Sequence, residues 1–143
     1  MKNTIEQLIE FAKDWGLELE VDHDVEWAGE RVHRVRMSEK QGVDGNKDQV
    51  FFWVRCEQES LCFYGSIKTA EELSHTYNIE VKKLDWSDVP ENKTAMCLRL
   101  SDINLGDNIH KEIIRYFLNS RAQDFGKELS MQISGSMGGC GGV

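Results

Sequence analysis

Hydrophobic and polar residues alternate without a break between Leu17 and Trp27. One parity carries apolar residues and a histidine, and the other parity carries five acids: Glu18, Glu20, Asp22, Asp24 and Glu26. Because the side chains of a strand point alternately to its two faces, this pattern predicts a strand over 17–27 with five carboxylates on one face. A second strand over 31–37 follows the turn "AGE" and completes a hairpin.

The other periodicities predict helices and strands in a mixed order. Helical spacing of apolar residues predicts helices over 4–14, 69–77 and 107–125, and runs of β-branched and aromatic residues predict strands over 49–56, 61–65, 79–84 and 94–100. This order predicts an α+β fold, a mainly antiparallel sheet with an N-terminal, a short middle and a long C-terminal helix packed on it. We expect a single domain over 1–129 and a flexible glycine-rich C-terminal tail over 130–143.

The charges of the two hairpin strands complement one another in one register. If Trp27 pairs with Glu30 and one residue near His33 is bulged, acids lie opposite arginines on one face and the remaining side chains pair on the other face. The resulting pairs are Glu26 with Arg31, Asp24 with Arg34, His23 with Val35, Asp22 with Arg36, and Val21 with Met37. This register leaves Glu18 and Glu20 without a basic partner.

Three interpretations of the five carboxylates stay open. They form a charge ladder within the hairpin, or a stripe that binds a basic protein, or a metal site around Asp22, His23 and Asp24. A binding stripe of this kind could also imitate a row of phosphates in an inhibitor of a DNA-binding protein. In a regular strand His23 points away from both aspartates, so we expect a half-buried core histidine there, with no metal and no cofactor.

The charge balance narrows the class of partner. The net charge is −8, and residues 1–30 hold nine acids against Lys2 and Lys13. Direct nucleic-acid binding needs a dominant basic surface, so a basic protein segment fits this balance better. There is no apolar run of the ~20 residues that a membrane helix needs, and acids interrupt the apolar start of the chain. We therefore expect a cytoplasmic protein without a membrane segment.

No combination of residues in the sequence indicates a specific catalytic chemistry. The four cysteines form no CxxC pair, and we expect reduced thiols. Glu80-Val81-Lys82 has the ExK form of a nuclease fold, but only the loop residues Asp44 and Asp48 offer the aspartate which that fold needs upstream. We expect that the protein is not an enzyme. Cys140, between two glycine pairs, is the candidate for modification.

Two stretches carry a resemblance to a known class of proteins. "LIEFAKDWGLELEVD" and "AMCLRLSDINLGDNIHKEIIRYFLN" resemble the first helix and strand and the last strand and helix of small acidic chaperones of type III secretion systems. The resemblance covers residues 5–125 in pattern. It implies a homodimer that binds an extended segment of another protein on its sheet and helix surfaces.

These observations predict a small acidic cytosolic binding protein of the chaperone, immunity or inhibitor type. It acts on a protein partner, and as an inhibitor that imitates DNA it would act on a nucleic-acid-binding protein. Its predicted partner-binding residues are Glu18, Glu20, Asp22, Asp24 and Glu26. The alternative is a substrate or carrier protein whose Gly-Cys tail is processed or modified.

Overall fold

The computed structural model describes residues 2–38, 50–65, 67–87, 89–90 and 93–126. Their helices and strands are α1 (Lys2–Asp14), β1 (Leu19–Trp27), β2 (Glu30–Met37), β3 (Val50–Arg55), β4 (Ser60–Gly65), α2 (Ile67–Tyr77), β5 (Lys82–Lys83), β6 (Thr94–Arg99) and α3 (Asn108–Asp124). A short 3₁₀ turn at Leu100–Asp102 follows β6. The strands form one antiparallel sheet in the order β1-β2-β3-β4-β6-β5. The α+β fold predicted from the sequence is confirmed.

Helix α1 packs on the sheet through one apolar face and ends at a glycine. Ile5, Leu8 and Ala12, at helical spacing, are fully buried. Gly16 then adopts a φ of +88°, the left-handed conformation that glycine reaches without a steric penalty. The N–H of Leu17 donates to the Ala12 carbonyl over 2.8 Å, which completes a Schellman-type end and turns the chain into β1.

The sheet is covered on both faces, which explains the apolar residues on both parities of β3. Phe52 and Val54 lie in the helix-side core, together with buried residues of all three helices. Trp53 points to the opposite side, into a second group that we call the outer-face cluster. Its buried members are Val32, Val50, Trp53, Cys62, Tyr64, Trp86 and Ala95. Strands β3 and β4 are therefore buried on both faces along nearly their whole length.

Helix α3 begins at a side-chain cap and contributes a large part of the helix-side core. The carboxylate of Asp107 accepts the N–H of Ile109 over 2.8 Å, which satisfies a backbone donor that has no partner within the helix. The ring of Phe117 stacks on Phe63 of β4, with ring centroids 4.4 Å apart. This contact fixes α3 against the centre of the sheet.

The β1–β2 hairpin contains a bulge, but on the opposite strand from the one predicted. Trp27 lies opposite Glu30, as expected, and the pairing then shifts between Asp22 and Val25. Two residues of β1 consequently face the single residue His33 of β2. The observed pairs beyond the bulge are Asp22 with Arg34, Val21 with Val35, Glu20 with Arg36, and Leu19 with Met37.

The pairs predicted for Val21, Asp22, His23 and Asp24 placed the extra residue on β2, and these pairs are therefore wrong. The backbone of Asp24 explains the difference, because it adopts a φ of +52°. Aspartate occupies this left-handed region more readily than most residues. The extra residue is accommodated at that position of β1.

The strand predicted over 79–84 is much shorter in the structure. Only Lys82–Lys83 pair with β6. Ile79 is buried in the helix-side core, and the N–H of Val81 donates to the Ser74 hydroxyl of α2 over 3.2 Å. The first half of this segment is therefore held by α2, and its second half is held by β6, where the N–H of Leu84 also donates to the Ala95 carbonyl over 2.8 Å.

Several expectations fall on residues that the structure does not describe. They are the tail over 130–143 with Cys140, and the loop aspartates Asp44 and Asp48. Among the helices of the described ranges, none combines the length and the apolar composition that crossing a membrane requires.

Candidate functional site

Arginines of β2 neutralise the middle of the acidic row, the name we give to Glu18, Glu20, Asp22, Asp24 and Glu26. Arg36 contacts Asp22 through Nε over 3.0 Å and Glu20 through Nη1 over 3.2 Å. Arg34 adds a contact of 3.4 Å to the same Asp22 carboxylate. The hydrogen bond to Asp22 raises the pKa of the Arg36 guanidinium above its ordinary value, against the opposing effect of burial. The charge ladder within the hairpin is therefore present.

The expectation that Glu20 lacks a basic partner is wrong. The bulge on β1 moves β2 so that Arg36 lies directly opposite Glu20. Glu18 is not without a partner either, and its backbone carbonyl accepts the N–H of Ser38 over 2.9 Å. Both residues therefore already have partners within the protein.

The acidic row does not share one face of the sheet. Leu19 packs in the helix-side core, whereas Trp27 packs against the outer-face cluster. Because alternation is interrupted at the bulge, Glu20 lies on the outer face and Glu26 lies on the helix-side face. A continuous stripe of five carboxylates does not exist.

Three further ion pairs involve charged residues of the hairpin. Arg31 lies 3.4 Å from a carboxylate oxygen of Asp24 and 3.3 Å from one of Glu57. Arg55 holds Glu30 through two hydrogen bonds of 2.7 and 2.9 Å, which raises the pKa of Arg55. Most charges of this hairpin are thus compensated within the protein.

An open groove lies along α1. It has a volume of about 640 Å³, and the described residues that line it are Asn3, Glu6, Gln7, Ile9, Glu10 and Phe11. Ile9 and Phe11 are partly buried against the helix-side core and still reach the groove. We call this site the α1 groove. It combines apolar side chains with two exposed carboxylates.

Three carboxylates lie on α1, and they differ from Glu20, Asp22 and Asp24 of β1, each of which contacts an arginine. Glu6, Glu10 and Asp14 recur every four residues and are exposed. Within the part of the chain that the structure describes, no ion pair involves any of the three. The four-residue spacing in the sequence already places them on one face of a helix. Sequence reasoning counted them only in the net charge.

Helix α3 lies beside α1 and presents both charge and apolar surface. The Lys111 ammonium lies 5.0 Å from the centre of the Phe11 ring, at cation–π distance. Ile109 and Tyr116 of α3 are about half exposed, at 50% and 48%. These are large apolar side chains that the fold leaves accessible.

The bulge brings the metal-ligating side chains of Asp24 and Cys56 close to His33, and His23 contacts His33 as well. The Nδ1 atoms of His23 and His33 lie 3.4 Å apart. A carboxylate oxygen of Asp24, a ring nitrogen of His33 and the sulfur of Cys56 all lie within 4.8 Å of one another. We call these four residues the bulge cluster. Burial raises the pKa of the Cys56 thiol, although the nearby Arg31 partly opposes this effect.

Because of the bulge, two expectations about His23 are wrong, namely that it is half-buried and that it lies away from Asp24. His23 is exposed rather than half-buried, and His33 is the buried histidine of the pair. Strict alternation directs His23 and Asp24 to opposite faces, but the bulge lets both of them reach His33. The link from His33 to Cys56 joins β2 to the end of β3, and no local sequence pattern indicates it.

Cys62 and Cys97 face one another across β4 and β6. Burial raises the pKa of the Cys62 thiol far above its ordinary range. The Cys62 thiol can therefore donate its proton as a hydrogen bond to the Cys97 sulfur, which lowers the pKa of Cys97 to about 7. The described cysteines are all free thiols. The sequence predicted reduced thiols and gave no indication of this pair.

The glutamate and the lysine of the ExK segment form an ion pair with one another. The Lys82 ammonium lies 3.7 Å from Glu80, and both side chains are exposed. They neutralise one another in solvent.

Comparisons with protein-family models, with curated proteins and with solved structures each return no match to this chain. The geometry described above therefore carries the functional argument.

Proposed function

We propose that the chain is a binding protein that holds a basic, partly apolar segment of another protein in the α1 groove. One observation carries the proposal. The α1 groove places the carboxylates of Glu6 and Glu10 beside the apolar side chains of Ile9 and Phe11, in an open volume of about 640 Å³. The functional class is the one expected from the sequence, and the proposed site moves from β1 to α1.

The α1 carboxylates are the ones from which an incoming cation gains most. In the acidic row, Asp22 and Glu20 already contact Arg36. A lysine or arginine of a partner would have to displace that guanidinium. Glu6 and Glu10 make no ion pair in the described part of the chain, so a partner's cation meets two available charges there.

The partner segment needs both charge and apolar surface. Each exposed ion pair contributes only about 0.2–1 kcal/mol. Burial of apolar surface contributes about 25 cal/mol per Å², so contact with Ile9 and Phe11 adds to what the charges supply. An amphipathic basic segment satisfies both sides of the groove.

The same charges disfavour other partners. Glu6, Glu10 and Asp14 would repel phosphate groups, and the chain has a net charge of −8. A basic protein segment is therefore favoured over a nucleic acid. Chaperones, immunity proteins and inhibitors are three forms of this binding activity, and none of them requires a chemical step by the chain.

The test uses synthetic peptides of equal length and titration calorimetry. One peptide carries Lys and Leu at helical spacing, a second replaces Lys by Glu, and a third replaces Leu by Ser. We expect the Lys/Leu peptide alone to bind, with one site per chain and with an affinity that falls as salt is added.

Hydrogen exchange then locates the bound peptide. Protection of α1 amides supports the proposal. Equal binding of the Glu/Leu peptide contradicts it, as does protection confined to other elements. Sedimentation that shows a dimer, with α1 protected in the absence of peptide, would assign the α1 groove to a second copy of the chain and would also overturn the proposal.

A further inference from the structure

The bulge cluster lies on a different part of the fold from the α1 groove, and it has its own origin. The extra residue of β1 lets His23 and Asp24 both face His33 of β2. Just beyond β3, the N–H of Cys56 donates to the Arg31 carbonyl of β2 over 3.1 Å. This hydrogen bond keeps Cys56 beside β2. Three chain segments thus meet at one point.

One distance in the bulge cluster matches that between two ligands of a small metal ion. Two nitrogen ligands of tetrahedral zinc, each about 2.0–2.1 Å from the metal, lie about 3.3–3.4 Å apart. The Nδ1 atoms of His23 and His33 are 3.4 Å apart. The Asp24 oxygen and the Cys56 sulfur lie within 4.8 Å of the His33 ring nitrogen. The side chains of Asp24 and His23 need to close onto His33 and Cys56 to reach the spacing of one coordination shell.

The exposed members of the cluster are the ones that need to move. His33 is 4% exposed and Cys56 is partly buried, so these two form the fixed side of the site. His23 is exposed, and the Asp24 side chain is 49% exposed. Both can close onto an ion without repacking the core.

We propose that His23, Asp24, His33 and Cys56 bind one divalent transition metal ion of the zinc type. Two imidazoles, one thiolate and one carboxylate are ligands that zinc accepts. Calcium and magnesium prefer sites made of oxygen atoms, so this set of ligands selects against them. Four protein ligands close the coordination shell, which is typical of a structural site.

Binding changes three existing interactions, the first of which is the hydrogen bond between the Nδ1 atoms of His23 and His33. The Nδ1 atom of His33 now accepts the backbone N–H of Asp24 over 3.1 Å. A neutral imidazole has one lone pair, so the metal replaces that hydrogen bond when Nδ1 becomes its ligand. The Cys56 thiol gives its proton to water as the thiolate binds the metal. Arg31, whose side chain is 56% exposed, leaves Asp24 and keeps Glu57.

The test uses Co²⁺ as a spectroscopic substitute and Zn²⁺ as a competitor. The full chain is studied in reduced form with the substitution Cys140→Ser, so that the tail thiol cannot contribute. We expect one Co²⁺ per chain, the intense visible bands of a tetrahedral ion, a thiolate-to-cobalt charge-transfer band, and displacement of Co²⁺ by Zn²⁺.

Single substitutions assign the ligands. Cys56→Ser should abolish the charge-transfer band, and His23→Ala should weaken binding by at least about tenfold. The matched controls Cys97→Ser and His75→Ala remove a thiol and an exposed imidazole elsewhere, and they should leave the spectrum and the affinity unchanged. Circular dichroism checks that each variant is folded.

Three results would overturn the proposal. One is the weak spectrum of octahedral Co²⁺. Another is unchanged charge transfer in Cys56→Ser. The third is a loss of binding in Cys97→Ser that equals the loss in Cys56→Ser, because this would place the metal at the other pair of thiols.

Discussion

Arg36 binds Asp22 across the diagonal of the β1–β2 hairpin, with 3.0 Å between Nε and the carboxylate oxygen, although Asp22 is paired in register with Arg34. The same guanidinium reaches Glu20, its direct partner, over 3.2 Å. One arginine thus serves two members of the acidic row.

Replacing this arginine should destabilise the fold. We expect Arg36→Gln to lower the free energy of unfolding by about 1–2 kcal/mol, because a partly buried network loses its cation and two carboxylates are left close together. Urea denaturation measures the change. Arg99→Gln is the matched control, since Arg99 pairs with Asp102 on the surface, and it should cost less than about 0.5 kcal/mol. Equal losses in both variants would contradict the network.

Two neighbouring residues of α3 should respond very differently to truncation. Phe117 stacks on Phe63 and is 2% exposed, whereas Tyr116 is 48% exposed. Phe117→Ala should cost about 3–5 kcal/mol of stability, because it leaves a cavity in the helix-side core. Tyr116→Ala should change stability by less than about 0.5 kcal/mol. Thermal unfolding of both variants tests which face of α3 meets the sheet, and similar losses would show that the face is assigned wrongly.

Cys97 should be a reactive thiol at neutral pH. Its pKa is lowered to about 7, chiefly by the hydrogen bond from Cys62, so the rate of alkylation by iodoacetamide should reach half its maximum near pH 7. Peptide mapping separates this rate from those of the other cysteines. In Cys62→Ala the hydrogen-bond donor is absent, and the midpoint should move up toward the ordinary value of 9.0. A midpoint that does not move would show that Cys62 is not the cause.

The same shift predicts a change of stability with pH. The pKa of Cys97 is lower in the folded chain than in the unfolded chain, so the thiolate favours the folded state. The stability that Cys97 contributes is complete above its unfolded pKa, near 9, and is lost as the pH falls through about 7. Cys62 has a raised pKa and acts in the opposite sense, only above the unfolded value. Comparing urea midpoints of the wild type and Cys97→Ser at pH 6 and pH 8.5 isolates the effect.

Periodicity predicted the element types well, because each long element buries one face against the same core. The apolar spacing of Ile5, Leu8 and Ala12 identified α1, and the two-sided apolar pattern around Trp53 identified a central strand. The strand predicted over 79–84 is too long at its start, because a hydrogen bond from Val81 to Ser74 holds that end to α2 while Lys82–Lys83 pair with β6. Hydrophobic spacing carries no information on that hydrogen bond.

The sites were harder to predict, because each depends on contacts between distant parts of the chain. The sequence indicated a bulge in the hairpin, but both strands offered a register consistent with the charges. The left-handed backbone of Asp24, with a φ of +52°, places the extra residue on β1. The approach of His33 to Cys56 requires the pairing of β2 with β3. The contact of Cys62 with Cys97 requires that β6 pair with β4.

The most direct test of the proposed function compares two double variants with the same loss of charge. Glu6→Gln with Glu10→Gln removes the carboxylates of the α1 groove, and Glu71→Gln with Asp85→Asn removes two exposed acids elsewhere. The measurement is the dissociation constant of the Lys/Leu peptide at low salt. We expect it to rise by about 2- to 30-fold in the first variant, from about 0.2–1 kcal/mol for each lost ion pair, and to stay unchanged in the second. Equal weakening in both variants would show that only the net charge attracts the peptide, and it would contradict a binding site in the α1 groove.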